Sequence, residues 1–226
     1  MSRFALILFD LDGTLVETAP EIADAVNDTL RHFGLPAVSQ QQVNDWIGHG
    51  TLELLIQALA SVQGQPVEVV RASDGLPAIA AEFKLHYRAR CGTRSRCYPG
   101  VKDTLLRLRA QGIRLGVVTN KEGAYTEVVL DAHDLSPLFD VVISGDTLST
   151  KKPDPQGIRL CMARWALAAN EVLFVGDSSI DVATARQAGV AVWALTYGYN
   201  MGQPIENSLP DRVLTQFSAI DGAKAW

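Results

Sequence analysis

Cysteine is scarce: the 226 residues include three, Cys91, Cys97 and Cys161, with no C-x-x-C pair. An odd, scattered set argues against a disulfide scaffold or a zinc ribbon and suits a reducing cytosol. Long hydrophobic runs are also missing. The apolar stretch Ala5–Phe9 is interrupted at once by Asp10 and Asp12, too early for a signal peptide or a membrane span. No other run approaches the roughly 20 residues that a spanning helix needs. Basic residues are not in excess either. Lys plus Arg number 20 against 25 Asp plus Glu, a formal charge of −5, and the pI is near 5.4. That balance argues against a chain built to coat nucleic acid or an anionic membrane. Repeats and low-complexity tracts are absent. What is present is an ordinary globular mixture, 47% hydrophobic and 20% charged, enough for one large domain or a main domain with a smaller companion. The expectation is a soluble, cytoplasmic protein.

Short β-type runs recur along the chain: Ala5–Asp10, Arg114–Thr119, Val141–Ser144, Val172–Val175 and Ala191–Leu195. The last three are almost wholly apolar, as in strands buried on both faces of a parallel sheet. Helical patterns fill the gaps. Pro99-Gly100 opens one that Gly112 is placed to end, and another runs from about Ser179 to Ala188 with Gly189 as its stop. Strands alternating with helices imply a doubly wound, Rossmann-like α/β sheet.

The segment from Leu15 to about Arg90 breaks that rhythm and reads as helical throughout. Thr18…Glu21 and Ser39…Gln42 have the form of capping boxes, Ile22, Val26, Leu30 and Phe33 share one face, and Leu52–Val62 and Leu76–Cys91 are helix-like. Gly92–Tyr98 reads as a return linker. The organisation expected is an α/β core domain of residues 1–15 and 92–226 and an inserted helical cap of residues 16–91. Trp46, Trp165 and Trp193 read as packing residues; Trp226 has no assignment.

The chemistry is written at strand ends. Asp10-Leu11-Asp12-Gly13-Thr14 follows the first strand directly. Two unit charges about 4 Å apart repel by roughly 4 kcal/mol at an effective dielectric of 20, and a bound cation or a proton removes that cost. Alone, the stretch reads equally as a β-turn with solvated aspartates. The later strands tip the balance: Val117-Val118 ends in Thr119-Asn120-Lys121, Phe174-Val175 in Gly176-Asp177-Ser178-Ser179-Ile180-Asp181, and Lys151-Lys152-Pro153 lies between. In an open α/β sheet, ligands bind beyond the carboxyl ends of the strands.

These motifs, D-x-D-G-T, a strand-ending threonine, a lysine before proline and G-D-x-x-x-D, resemble those of haloacid dehalogenase superfamily phosphatases, in order and across essentially the whole chain. Asp10–Val16 with Ala19-Pro20, Trp46–Gly50, Val118–Lys121, Lys151–Pro155, Leu173–Ser178 and Leu195–Asn200 are most similar to the family's bacterial phosphoglycolate phosphatases. The resemblance implies that Asp10 is the nucleophile taking up the phosphoryl group and Asp12 the general acid and base. It implies Mg²⁺ held by Asp10, the Asp12 carbonyl and Asp177, with Asp181 behind them or as an occasional ligand. Asp12 itself favours phosphate over halide chemistry, since the dehalogenases of the family lack it. Thr119 and Lys152 would bind the transferred group, with Thr14 and Asn120 beside them, and His49, between two glycines, would meet the far end of a small acid such as 2-phosphoglycolate. His49 reads equally as an exposed residue of a helix–helix turn. Lys121 and Lys151 are left as surface residues.

Three positions depart from the family pattern: Glu122-Gly123 where proline is frequent, Ile180 where asparagine is, and His49 itself. Arg88, Arg90, Arg94 and Arg96 read as a solvated linker or as a field that draws in anions. The implied partner is a small phosphorylated metabolite, with no nucleic acid and no membrane, and a monomer or homodimer. The alternatives are another small phosphate ester as substrate, a sugar phosphomutase on the same scaffold, or a phosphate sensor without catalysis.

Overall fold

In the computed structural model, which describes residues 4–220, the chain opens with β1 (Leu6–Phe9) and β2 (Val16–Glu17). Five helices follow: α1 (Ala19–His32), α2 (Gln40–Trp46), α3 (Thr51–Gln63), α4 (Val67–Arg71) and α5 (Leu76–Arg90). After β3 (Arg96–Cys97) the chain alternates. It passes through α6 (Val101–Ala110), β4 (Arg114–Val118), α7 (Gly123–Ala132), β5 (Val141–Ile143), α8 (Gln156–Arg164), β6 (Val172–Gly176), α9 (Ser179–Ala188), β7 (Ala191–Leu195) and β8 (Arg212–Leu214). Six strands form one parallel sheet in the order β5-β4-β1-β6-β7-β8. The doubly wound α/β architecture is as expected. Trp226 lies outside the described residues.

Alternation along β1 explains the layers. Its four residues are buried on both sides; Ile7 and Phe9 join one apolar cluster, Leu6 and Leu8 the other. The first cluster takes in α6 and α7 and runs without a break into α1, α3 and α5. The second is closed by Ile158 and Cys161 of α8 and Val182 and Ala185 of α9. Each large side chain buried in this way contributes about 1.5–3 kcal/mol. The register then sets the site. Phe9 pairs with Val117 on one side and Val175 on the other, so Asp10, Thr119 and Asp177 emerge together at the carboxyl edge of the three central strands.

Several local expectations change. Thr18 precedes α1 but its side chain caps nothing there. Its hydroxyl donates to Asp12 Oδ1 at 2.6 Å instead. Glu21, the other half of the supposed box, is fully buried and accepts the Arg94 and Ser95 amides at 3.3 and 3.0 Å. A capping box and a pair of residues with other partners look alike in sequence. Ser39 and Gln42 do form their box. The return segment contains β3, which pairs antiparallel with β2, Val16 opposite Cys97. Strand β8 gave no sequence signal, having three residues of which one is buried. Trp46, Trp165 and Trp193 pack against the two apolar clusters as expected. No helix among the described residues is long and apolar enough to cross a membrane.

Candidate active site

Asp10, at the end of β1, is buried, and its Oδ1 lies 2.8 Å from Lys152 Nζ. The same ammonium group lies 2.7 Å from Asp181 Oδ1. Burial, the largest cause, raises the Asp10 pKa; Lys152 pulls it down and Asp181 and Asp12 push it up, leaving it at about 6. Burial also opposes charge on Lys152, but the two carboxylates more than offset it and hold the lysine protonated.

Asp177, just beyond β6, is raised by burial and then by Asp181 and Asp10. Its Oδ1 accepts the Thr14 hydroxyl and its Oδ2 the Tyr199 amide at 2.6 Å. Room for it is made by glycine. A Cβ at Gly13 would sit 2.3 Å from Asp177 Oδ2, and one at Gly198 2.2 Å away. Gly13 also has φ of +86°, which lets the chain turn back toward β2. Asp181 is the N3 residue of a capping box with Ser178 at the start of α9. Its Oδ2 accepts the Asp177 and Ser178 amides at 3.1 and 3.0 Å and the Ser178 hydroxyl at 2.7 Å.

Asp10, Asp177 and Asp181 each bring a carboxylate oxygen within 4.8 Å of the others. Three buried acids, two of them with raised pKa values, make a place short of positive charge, and an all-oxygen donor set suits a hard divalent cation. Asp181 has both oxygens engaged by Lys152 and the α9 amides, so it orients the others. Asp10 and Asp177, with the Asp12 carbonyl, which accepts no backbone hydrogen bond among the described residues, are the donors that fit.

Asp12 is held separately. Lys121 Nζ donates to its Oδ1 and Oδ2 at 2.9 and 3.2 Å, and Thr18 to Oδ1. Lys121 is 2% exposed, which corrects its reading as a surface residue. Its ammonium group also donates to the hydroxyl of Tyr87 on α5 and lies 5.0 Å from that ring's centre. Burial disfavours its charge, and Asp12 and Tyr87 more than compensate.

The haloacid dehalogenase-like hydrolase model matches residues 7–195. The chain belongs to this family. The phosphoglycolate phosphatase of Aliivibrio fischeri is 41% identical over 215 residues, covering 95% of this chain and 94% of its own, and that of Vibrio cholerae 40% over 214 residues, with 94% and 93% covered. A predicted phosphoglycolate phosphatase from Haemophilus somnus, solved as a crystal structure, superposes with a TM-score of 0.88 at 36% identity and covers 96% of both chains. CbbY from Rhodobacter sphaeroides, solved in complex with phosphate, shares the fold at 22% identity, with a TM-score of 0.77 and 95% of each chain covered. The chain is a phosphoglycolate phosphatase-like hydrolase.

The hydrolase's inserted helices form the roof of a cleft, lined from above by Ile22, Ile47, Gly48, Gly50, Thr51 and Leu54 and from below by Asp10, Asp12, Thr119 and Asp177. Asn120 lines the cleft as well, and its side chain serves as a support. Its amide donates to the Gly48 and Lys152 carbonyls at 2.9 and 3.0 Å and accepts the Lys152 amide at 2.8 Å, tying roof, strand end and lysine loop together. Thr14, engaged with Asp177, is likewise a support. His49 is exposed and absent from the lining, because the flanking glycines, not the imidazole, face inward. Thr119 lines the cleft, and its hydroxyl oxygen accepts the Lys121 amide at 3.3 Å.

The departures from the family pattern find their reasons here. Glu122 accepts the Thr51 hydroxyl at 2.9 Å, a second tie to the roof, and Asp146 caps the Gly123 amide at 2.8 Å. Ile180 is buried below the roof: a Cβ at Gly48 would come 3.0 Å from its Cδ1. Arg90 and Arg94 pair with Asp28 and Asp24 of α1 at 2.7 and 2.6 Å, so half of the arginine cluster is engaged structurally. Lys121, Tyr87, Thr18 and Tyr199 were missed; only Tyr199, in the polar stretch just past β7, carried a positional signal.

Proposed function

We propose that this hydrolase is a Mg²⁺-dependent phosphomonoesterase that converts 2-phosphoglycolate to glycolate and phosphate through an aspartyl-phosphate on Asp10. The observation that carries the reading is the division of partners: two aspartates two residues apart, each with its own buried lysine, Lys152 for Asp10 and Lys121 for Asp12. Two carboxylates in different settings suit two roles. The Asp10 carboxylate attacks phosphorus and the ester P–O bond breaks, with Asp12 giving its proton to the leaving alkoxide. Asp12 then takes a proton from a water that attacks the aspartyl-phosphate, releasing phosphate and restoring Asp10. Lys152 and Thr119 stand beside the phosphoryl oxygens, where fixed charge and donors lower the barrier. Asp10, the Asp12 carbonyl and Asp177 would hold Mg²⁺, which would supply further positive charge there.

Residues 16–91 act as a cap that excludes water, over a core of residues 1–15 and 92–226. The cleft is small, its roof is apolar, and Gly50 and Thr51 bring the start of α3 to it, a seat for the substrate carboxylate on open helix amides. The relatives' names point to the same substrate. The setting is the cytoplasm, the partner a small phosphorylated acid, and the active form a monomer or homodimer. The test is phosphate release from a panel of monoesters, with and without Mg²⁺ and with Asp10→Asn as control. Preference for 2-phosphoglycolate with an absolute need for Mg²⁺ supports the reading. A sugar phosphate turned over faster, or a rearranged sugar phosphate without free phosphate, refutes it.

A further inference from the structure

On the far side of the inserted helices, three side chains converge. Glu82 and His86 sit one turn apart on α5, and His32 closes the last turn of α1. His32 Nδ1 lies 3.3 Å from Glu82 Oε1, and His86 Nε2 lies 3.2 Å from the same oxygen. All three donor atoms fall within 4.8 Å of one another. Charge-assisted N–H···O⁻ bonds are shorter, roughly 2.7–2.9 Å. A tetrahedral ion bound at the roughly 2.0–2.1 Å typical of zinc separates neighbouring ligand atoms by about 3.3–3.4 Å, close to the distance of each imidazole nitrogen from the Glu82 oxygen.

A second observation points the same way. His86 Nε2 is shut off from solvent and has no hydrogen-bond partner among the described residues, despite its nearness to Glu82. A buried ring nitrogen without a directed partner is costly, and a metal ion satisfies it. The side chains of Glu82 and His86 are 23% and 29% exposed and that of His32 52%, so solvent has access for a fourth, water ligand.

We infer that His32, Glu82 and His86 form a site for a divalent transition-metal ion of the zinc class, separate from the acidic cluster under the roof. Two imidazoles and one carboxylate select such an ion over Mg²⁺, which prefers oxygen alone. Binding joins the C-terminal turn of α1 to α5, beside the Arg90–Asp28 pair that already links these helices. It braces the helix whose next residue, Tyr87, reaches Lys121.

The test uses the full-length protein freed of metal, with Mg²⁺ then added in excess to fill the acidic cluster. Titration with Co²⁺, followed by its visible absorption, reports one ion per chain in a tetrahedral field that Zn²⁺ displaces, and Zn²⁺ raises the Tm. His32→Ala and His86→Ala, each confirmed as folded by circular dichroism, lose both the band and the Tm response, whereas Asp177→Asn keeps them. A band that persists in either histidine variant, one that vanishes in Asp177→Asn, or no saturable Co²⁺ binding by the native chain overturns the inference.

Discussion

The floor and the roof of the cleft are built on opposite principles. The floor is the carboxyl edge of the parallel sheet, where Asp10, Asp177, Asp181 and Lys152 are buried and tied to one another and to backbone amides. The roof is the helical insertion, which offers mostly apolar groups and two glycines. Polar ties run from the floor's strand ends to Gly48, Thr51 and Tyr87. Charge fixed in a rigid frame is what phosphoryl transfer needs; an apolar lid on a few hydrogen bonds is what admission and water exclusion need. On the proposed reading, the chemistry belongs to the floor and the choice of substrate to the roof.

Substitutions in the two layers test this division. Asp10→Asn removes the attacking oxygen's charge, and kcat falls by roughly 10³-fold or more, the scale on which loss of a covalent nucleophile registers, while the fold persists by circular dichroism. An isosteric floor change with little effect on kcat breaks the comparison. Lys152→Met leaves two buried carboxylates without their cation. Chemical denaturation shows a loss of roughly 3–5 kcal/mol, together with a kcat loss comparable to that of a removed electrostatic stabiliser, about 10²–10³-fold.

The floor also makes stability depend on pH in an unusual sense. Asp10 titrates near 6 in the folded metal-free chain and near 3.9 when unfolded. The native state thus holds the extra proton, and this group's contribution to stability is present below about pH 4 and lost as pH rises to 6. The loss is on the order of 2–3 kcal/mol, and Mg²⁺ restores it at neutral pH. Denaturation of the metal-free chain across that range, compared with Asp10→Asn, isolates the effect.

Lys121→Met, at the seam of floor and roof, removes the support of Asp12. Roughly 10–10²-fold is lost from kcat, as for a general acid–base group out of place, with KM for 2-phosphoglycolate changing far less. His49→Ala, on the outside of the roof, leaves kcat/KM within about threefold, the usual scale for a surface change of ±0.5 kcal/mol. A large rise in KM there transfers substrate recognition to the imidazole.

The same contrast governs what could be read from sequence. Strands β1, β4, β5, β6 and β7 were legible as short apolar runs, and the polar ends of β1, β4 and β6 exposed Asp10, Thr119 and Asp177 directly. Lys121 was not, since its partner Tyr87 lies on a helix 34 residues earlier and a lysine after a strand reads by default as solvated. Thr18 and Glu21 misled for a related reason: residues that could cap a helix were engaged elsewhere, Thr18 by Asp12 and Glu21 by the return segment. His49 reads in sequence equally as a ligand and as an exposed turn residue; the flanking glycines, not the imidazole, line the cleft. Local pattern reports the floor well and the seam poorly, because the seam exists only after packing.

The central claim is that phosphorus passes through Asp10. Rapid-quench reaction of the Mg²⁺-loaded enzyme with radiolabelled 2-phosphoglycolate, followed by peptide mapping, tests it most directly. The account predicts a transient, hydroxylamine-labile label on the peptide that holds Asp10, absent from Asp10→Asn. Label on any other residue, or an Asp10→Asn variant that releases phosphate at the native rate, would contradict it.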